Sequence, residues 1–154
     1  MQKTLLRSKL HRINVTQVEL DYEGSCAVDT DILAKGNLQE YDLLNYIFDT
    51  NNITHIIHFA AQSHVDNSFT NSLQYTRDNV YGTHNLLEVS RKHMKNLKLF
   101  IHVSTDEVYG NILGNVRANE KTPYNPSNPY SATKAASDHL INSYVNTYKI
   151  NAII

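Results

Sequence analysis

The stretch LKLFIHVSTDEVYG, residues 97–110, decides the fold expected for this chain. Its first half, Leu97 to Val103, is an apolar run with the length of a buried strand. Ser104 and the three residues after it, Thr-Asp-Glu, follow without a gap. Hydroxyls and two carboxylates therefore stand at the carboxyl end of a strand, where open α/β sheets bind their ligands.

The stretch NPYSATK, residues 128–134, supplies the second half of a candidate site. Asn128-Pro129 marks a turn ahead of a helix, because proline disfavours helical backbone in the residue before it. On that helix Tyr130 and Lys134 are four residues apart and share a face. An ammonium beside a phenol favours the phenolate, so this pair predicts an activated hydroxyl with a lowered pKa.

Around these two stretches, predicted strands alternate with predicted helices. Apolar or alternating runs predict strands at 12–20, 32–38, 53–59, 97–103 and from residue 149 onward. Apolar residues at helical spacing predict helices at 38–50, 73–95 and 130–148. This alternation indicates the α/β class, with a parallel sheet covered by helices on both faces.

Composition excludes several classes of partner. The chain has 154 residues, enough for one domain with a real core. Its net charge of −1 gives no electrostatic reason to expect nucleic acid or an anionic membrane, and no apolar run reaches transmembrane length. The single cysteine, Cys26, suits a reducing compartment, so a cytoplasmic protein is expected. Met1 to Arg12 has basic residues but no acid, which resembles an organelle presequence; an exposed basic lead-in is the plainer interpretation.

Two histidines on one predicted strand raise the question of a metal site. His55 and His58 are three residues apart, so on a strand they point to opposite faces. No cysteine or acidic cluster accompanies them in the sequence. The pattern therefore predicts ordinary strand histidines and no metal.

The motif Tyr-x-x-x-Lys after a Ser-Thr strand end resembles the short-chain dehydrogenase/reductase superfamily. Longer strings narrow the resemblance: HFAAQSHVDNSF (58–69), NVYGTHNLLE (79–88), HVSTDEVYG (102–110) and NPYSATKAASDHL (128–140). They are similar, in the same order, to the NAD-dependent nucleoside-diphosphate-glucose 4,6-dehydratases of the extended branch. The similarity runs from about Asp31 to the end of the chain. The triplet at 105–107 separates these dehydratases from their sister epimerases, which usually lack the acid pair.

The resemblance implies a reaction by transient oxidation. Tyr130 would take the proton of the sugar's C4 hydroxyl as hydride passes from C4 to NAD, with Lys134 lowering the pKa of the phenol and holding the ribose. Thr105 would hydrogen-bond the C4 oxygen. The resulting ketone acidifies C5–H, so Glu107 would act as base and Asp106 as acid to the water leaving C6. Return of the hydride to C6 gives the 4-keto-6-deoxy sugar nucleotide.

The resemblance also implies binding residues. Substrate contacts fall on His64, Ser104 and Thr105. Cofactor contacts near the adenine would be made by Asn37 and Leu38. A turn of mostly small residues, Ala60, Ala61, Gln62 and Ser63, would also contact the cofactor. The remaining contacts would come from Asn79 and from the catalytic pair, Tyr130 and Lys134. Asp21 is a candidate for the ribose-binding acid, with an ordinary loop acid as the alternative. The two helices at 73–95 and 130–148 would form a homodimer interface, although packing within one chain gives the same apolar pattern.

The chain departs from the family at its beginning. Its glycines stand at 24, 36, 82, 110 and 114, so neither GxxGxxG nor GxGxxG, the phosphate-binding turns, can be written. We therefore expect a divergent segment at 1–30 and a partial Rossmann-like NAD(P)-binding domain at 31–154. The glycine-rich first βα unit and the C-terminal substrate domain would be missing. Two alternatives to a dehydratase stay open: an inactive fragment or interaction module of the family, and a nucleotide-sugar epimerase, against which the acid pair argues.

Overall fold

The computed structural model describes residues 37–112 and 117–154. Within these ranges, three short parallel strands form one sheet in the order β1-β2-β3. They are β1 (His55–His58), β2 (Leu99–His102) and β3 (Ala152–Ile153). The predicted α/β class with a parallel sheet is confirmed. The strand predicted at 12–20, residues 32–36 of the strand predicted at 32–38, Asp21 and Cys26 lie outside the described residues. Residues 37 and 38 are described and form no strand.

Register in the sheet brings corresponding strand ends together. Ile56 lies opposite Phe100, and Phe100 lies opposite Ala152. Because neighbouring strands are parallel, the carboxyl ends of β1 and β2 meet at one edge. The Val103 N–H donates to the His58 carbonyl at 3.1 Å, which extends the pairing by one residue toward that edge.

Helices fill the connections between strands. They are α1 (Tyr41–Thr50), α2 (Val65–Thr70), α3 (Ser72–Tyr75), a π-helical segment (Thr76–Tyr81), α4 (Gly82–Lys92) and α5 (Pro129–Tyr148). The helix predicted at 73–95 thus contains a wider middle part. There the Gly82 N–H bonds the Arg77 carbonyl, five residues back, and π-type bonding of this kind occurs frequently at functional sites.

The core lies among α1, α4, α5 and the sheet. Its buried members are Leu44, Ile47, Phe48, Ile56, Leu86, Leu87, Val89, Phe100, Ile141, Tyr144 and Ile150. The apolar positions that predicted the helices are these same inward positions, so burial explains the pattern. In the described parts of the chain, no helix is long and apolar enough to cross a membrane.

Candidate active site

A short 3₁₀ turn, Asp106–Tyr109, follows β2 and gathers the predicted acids. Thr105 begins it with extended backbone, and its Oγ1 accepts a 3.3 Å hydrogen bond from the Glu107 N–H. The turn ends the strand geometry that would send successive side chains to opposite faces. Asp106 stays exposed, whereas Glu107 is half-buried.

Asn128 connects this turn to the start of α5. Its Nδ2 donates to Glu107 Oε2 at 2.9 Å, while its Oδ1 accepts from the Ser131 N–H at 2.8 Å. The Ser131 hydroxyl completes a capping box with the Asn128 N–H, and Pro129 occupies the first turn. One asparagine therefore contacts both Glu107, the candidate base, and the start of the helix that carries Tyr130. From the sequence, Asn128 was recognisable only as a turn marker.

Tyr130 lies in the first turn of α5 and is 8% exposed. Its ring meets that of Tyr75 edge-on, with centroids 6.4 Å apart. Burial raises the pKa of its phenol; a hydrogen bond with Thr105 works in the opposite direction, and the charges of Glu107 and Asp106 raise the pKa further. The direction is opposite to the one expected from a neighbouring ammonium.

The position of the Lys134 ammonium explains why the pKa of Tyr130 is raised and not lowered as the sequence predicted. Its Nζ points to the end of β2, where it donates to the Val103 carbonyl at 2.7 Å. Lys134 is 3% exposed, and burial lowers its pKa to about 8, with the charge of Asp138 acting in the opposite direction. The i, i+4 spacing placed Lys134 on the correct helix face, but the strand carbonyl determines where its ammonium lies.

The turn after β1 is tied to the π-helical segment by Asn79. The Asn79 Oδ1 accepts from the Gln62 N–H at 2.7 Å, and its Nδ2 donates to the Gln62 carbonyl at 3.0 Å and to Thr133 Oγ1 at 2.9 Å. The small residues Ala60 and Ala61 are half-buried beside it, whereas Ser63 is exposed. Asn79 therefore links the predicted cofactor turn to α5, the helix of Tyr130 and Lys134.

His64 lies at the beginning of α2 and is exposed. Its backbone carbonyl accepts a hydrogen bond from the Tyr75 hydroxyl. Tyr75 is 2% exposed and also contacts Tyr130, so it connects the two parts of the predicted site. Ser104 donates its hydroxyl proton to Asp138 Oδ2 at 2.6 Å. The Ser104 proton is thus directed toward α5.

Asp78 connects Gln39, which follows the predicted adenine contacts Asn37 and Leu38, to the turn after β1. It accepts from the side-chain amides of Gln39, Gln62 and Gln74; the Gln62 bond is 3.0 Å and the Gln74 bond 2.8 Å. Asn37, two residues before Gln39, is exposed and accepts from the Gln39 N–H at 3.0 Å. The Leu38 carbonyl accepts from Asn85 Nδ2 at 3.0 Å. Sequence reasoning missed Asp78, because no motif signals three glutamines around one carboxylate.

His55 and His58 occupy opposite faces of β1, as the strand periodicity predicted. His55 is exposed, and His58 is buried with its Nε2 at 2.8 Å from Thr83 Oγ1. Across residues 37–112 and 117–154, no group of three histidine, cysteine or acidic side chains could hold a metal ion.

Chemically, the site combines a phenol, a hydroxyl, two carboxylates and an ammonium at one sheet edge. The phenol is that of Tyr130, and the hydroxyl is that of Thr105, which favours a lower pKa of the phenol. The carboxylates follow directly, and the ammonium lies at the end of β2. Such a set can remove and deliver protons at neighbouring atoms of one substrate.

Comparison with known proteins agrees with this geometry. A family model described as GDP-mannose 4,6 dehydratase matches residues 6–154. The dTDP-D-glucose 4,6-dehydratase of Dictyostelium discoideum is 46% identical over 130 residues, covering 78% of this chain and 30% of that protein. The dTDP-glucose 4,6-dehydratase of Mycolicibacterium smegmatis is 50% identical over 101 residues, covering 64% and 30% respectively. The chain therefore spans less than a third of these curated relatives.

Solved structures resemble the chain as well. The crystal structure of DesIV, a dTDP-glucose 4,6-dehydratase from Streptomyces venezuelae with NAD bound, is 31% identical with a TM-score of 0.74. That match covers 98% of this chain and 49% of the other. UDP-glucose 4-epimerase from Thermus thermophilus, in complex with NAD, is 30% identical with a TM-score of 0.72, covering 76% and 37%. Likeness of fold alone does not separate dehydratases from epimerases. The family model, which matches nearly the whole sequence, shows that the chain belongs to the GDP-mannose 4,6-dehydratase family.

Proposed function

We propose that this chain carries the cofactor-side and catalytic residues of an NAD-dependent nucleoside-diphosphate-glucose 4,6-dehydratase. The observation that supports this most strongly is the meeting of Thr105, Glu107 and Tyr130. Thr105 starts the turn that carries Glu107 and lies close enough to Tyr130 to favour a lower pKa of its phenol, and Asn128 joins Glu107 to the helix of Tyr130. The product would be the 4-keto-6-deoxy sugar nucleotide.

Each catalytic side chain has a role in this proposal. Tyr130 takes the proton of the C4 hydroxyl, and Thr105 holds the C4 oxygen. Glu107 removes the C5 proton, while Asp106 protonates the hydroxyl that leaves C6 as water. NAD, when bound, would supply the hydride acceptor for C4 and the hydride donor for C6, and Glu107 would return its proton to C5 as the hydride reaches C6. The raised pKa of Tyr130 keeps the phenol protonated in the free chain. Ligand binding must therefore bring a positive charge close enough to lower that pKa.

The residues present fit one half of NAD. Lys134 offers N–H groups beside Tyr130 at the strand end, which suits a ribose and its nicotinamide, and the small turn of Ala60 and Ala61 permits close approach of a flat ring. Asn37 and Leu38 lie on the adenine side, and Asn79 acts through Gln62, to which its amide is committed. His64 and Ser104 lie in the turns where the sugar nucleotide would enter, and Ser63 would contact the cofactor. A glycine-rich turn for the pyrophosphate cannot be written in the sequence, and the predicted divergent segment at 1–30 lies outside the described residues.

Titration calorimetry with NAD, followed by product analysis, tests the proposal. We expect the full chain to bind NAD and to convert dTDP-glucose or UDP-glucose to a 4-keto-6-deoxy product. Glu107→Gln should retain NAD binding and lose turnover by about 100-fold or more, because the C5 base is gone. Glu120→Gln, an exposed carboxylate in the loop before α5, is the matched control and should keep full activity.

Three results would contradict the dehydratase assignment in distinct ways. Release of the C4 epimer would favour the epimerase alternative. NAD binding without any product would favour an inactive member of the family. Absence of NAD binding would leave an interaction module as the remaining alternative.

We also propose a homodimer formed through the helices at 73–95 and 130–148. A cytoplasmic location is proposed as well, because a single cysteine suits a reducing compartment. Exposed apolar side chains on the first helix support the dimer: Leu73 is 74% and Tyr81 51% exposed. The mass of the chain in solution, measured by light scattering, distinguishes a dimer from a monomer.

A further inference from the structure

A buried polar cluster lies beside the candidate active site, and three of its members, Asp138, His102 and Tyr124, have no part in the reaction proposed above. It consists of Lys134 and Asp138 on α5, His102 on β2, and two hydroxyls, Ser104 and Tyr124. Asp138 is 0%, His102 2% and Lys134 3% exposed. Burial of a charged carboxylate costs several kcal/mol unless the group is paired and hydrogen-bonded, so this arrangement requires an explanation.

Asp138 is held as a carboxylate by donors on several sides. Its Oδ2 accepts from Ser104 Oγ at 2.6 Å and from the Tyr124 hydroxyl at 3.1 Å. Its Oδ1 lies 3.3 Å from His102 Nε2, an electrostatic approach without the alignment of a full hydrogen bond.

His102 lies between the carboxylate and the ammonium. Its Nε2 is 3.3 Å from Asp138 Oδ1 and 3.4 Å from Lys134 Nζ. A neutral ring nitrogen either donates or accepts, so Nε2 serves one neighbour at a time. The other ring nitrogen, Nδ1, has no hydrogen-bond partner among the described residues. Because an orphaned buried donor is rarer than an under-satisfied acceptor, the proton belongs on Nε2, facing Asp138.

We propose that Asp138 is a positioning residue for Lys134: its buried carboxylate, one helical turn further along α5, keeps Lys134 an ammonium whose Nζ is held at the Val103 carbonyl. His102 stands between the two charges, with its Nε2 3.3 Å from Asp138 Oδ1 and 3.4 Å from Lys134 Nζ. The use of the Lys134 charge in the reaction rests on the proposed function. The presence of that charge does not.

The groups around Lys134 support an effect of this sign. His58 on β1 and His102 on β2 face it, and both are buried with lowered pKa values, so these rings are neutral and do not offset the charge of Lys134. Tyr130, one turn earlier on α5, has a raised pKa and is neutral. Asp138 is thus the anion that opposes the effect of burial on the pKa of Lys134, which stands at about 8.

Carbon-13 NMR of lysine side chains in the full chain tests this directly. The signal of Lys134 is identified as the one that disappears from the spectrum of Lys134→Arg. The pKa of Lys134 is then measured in wild type, Asp138→Asn and Tyr124→Phe. We expect Asp138→Asn to lower the pKa of Lys134 by about one unit or more, since an opposite charge nearby shifts a pKa by roughly 1–3 units. Tyr124→Phe removes one hydrogen bond to Asp138 and keeps its charge, so it should change this pKa by less than about 0.3 units.

A pKa of Lys134 that stays unchanged in folded Asp138→Asn would overturn the proposal, as would an equal shift in both variants. If Asp138→Asn does not fold, the nitrogen spectrum of His102 in the wild type decides: protonation on Nε2 supports the arrangement, and protonation on Nδ1 contradicts it. These readouts need neither NAD nor turnover, so a failed dehydratase assay and a failed positioning role give different results.

Discussion

Gly110 closes the 3₁₀ turn that carries the acid pair, with a left-handed φ of 70°. A Cβ added there would lie 2.0 Å from the Asn125 carbonyl oxygen. The Asn125 N–H bonds the Val108 carbonyl at 2.9 Å, so the loop before α5 is fastened against this turn. The glycine is required by the close approach of two backbone segments, and the site depends on it.

Gly110→Ala should therefore lower the free energy of unfolding by more than about 2 kcal/mol, from backbone strain together with the clash. Gly82→Ala is the matched control. Its backbone is helical, and the added Cβ would lie 3.1 Å from Leu38 Cβ, so the neighbour has to shift by only a few tenths of an ångström. The change at Gly82 should stay within about 1 kcal/mol, because alanine favours the helix. Urea unfolding of both variants measures the difference, and equal losses would contradict the argument.

At the level of elements, the π-helical segment presents Asn79 to two neighbours at once. The asparagine side chain bonds the backbone of Gln62 and the hydroxyl of Thr133. Its own carbonyl accepts from Thr83 and from Ser137 on α5, at 2.6 Å and 2.8 Å. An α-helix satisfies most carbonyls internally, so the wider segment makes the Asn79 carbonyl accessible to α5.

Asn79→Ala should lower the free energy of unfolding by about 2 kcal/mol, because it leaves buried polar groups of Gln62 and Thr133 without partners. Asn45→Ala provides the comparison on another helix. Asn45 donates to Asp49 at 2.8 Å on an exposed surface, so its removal should cost less than about 0.5 kcal/mol. Chemical denaturation measures both; a comparable loss in Asn45→Ala would show that the link between the cofactor turn and α5 contributes little.

For the molecule as a whole, buried histidines determine how stability responds to acid. Burial lowers the pKa of His58 well below 6.5, and the charges of His102 and Lys134 add to the effect. The pKa of His102 is also lowered, mainly by burial. Below pH 6.5 the unfolded chain takes up protons at these positions while the folded chain does not, so stability falls as pH falls.

We expect the free energy of unfolding to decrease between pH 6.5 and pH 5 by up to about 1.4 kcal/mol per pH unit for each such histidine. His58→Gln should flatten this dependence, since the group that titrates only in the unfolded chain is gone. His55→Gln, on the exposed face of the same strand, should leave the slope unchanged. Urea titrations at several pH values provide the measurement, and identical slopes in the two variants would contradict the prediction.

Sequence alone determined the local structure and the inventory of the site. The apolar run ending at Val103 predicts a strand, and Asn128-Pro129 predicts the start of α5, because both signals act through the backbone of neighbouring residues. The family strings identified the chemical groups. These inferences need no knowledge of how distant segments meet.

Tertiary structure decided which atoms face one another. Only the folded chain turns the ammonium of Lys134 to the Val103 carbonyl, which removes its expected effect on Tyr130 and leaves burial to raise the pKa of the phenol. Only packing places Asn128 against Glu107 and surrounds Asp138 with donors from β2 and the loop. Hydrogen bonds and desolvation act at contact range, and these contacts join residues that are 14 to 34 positions apart in the sequence.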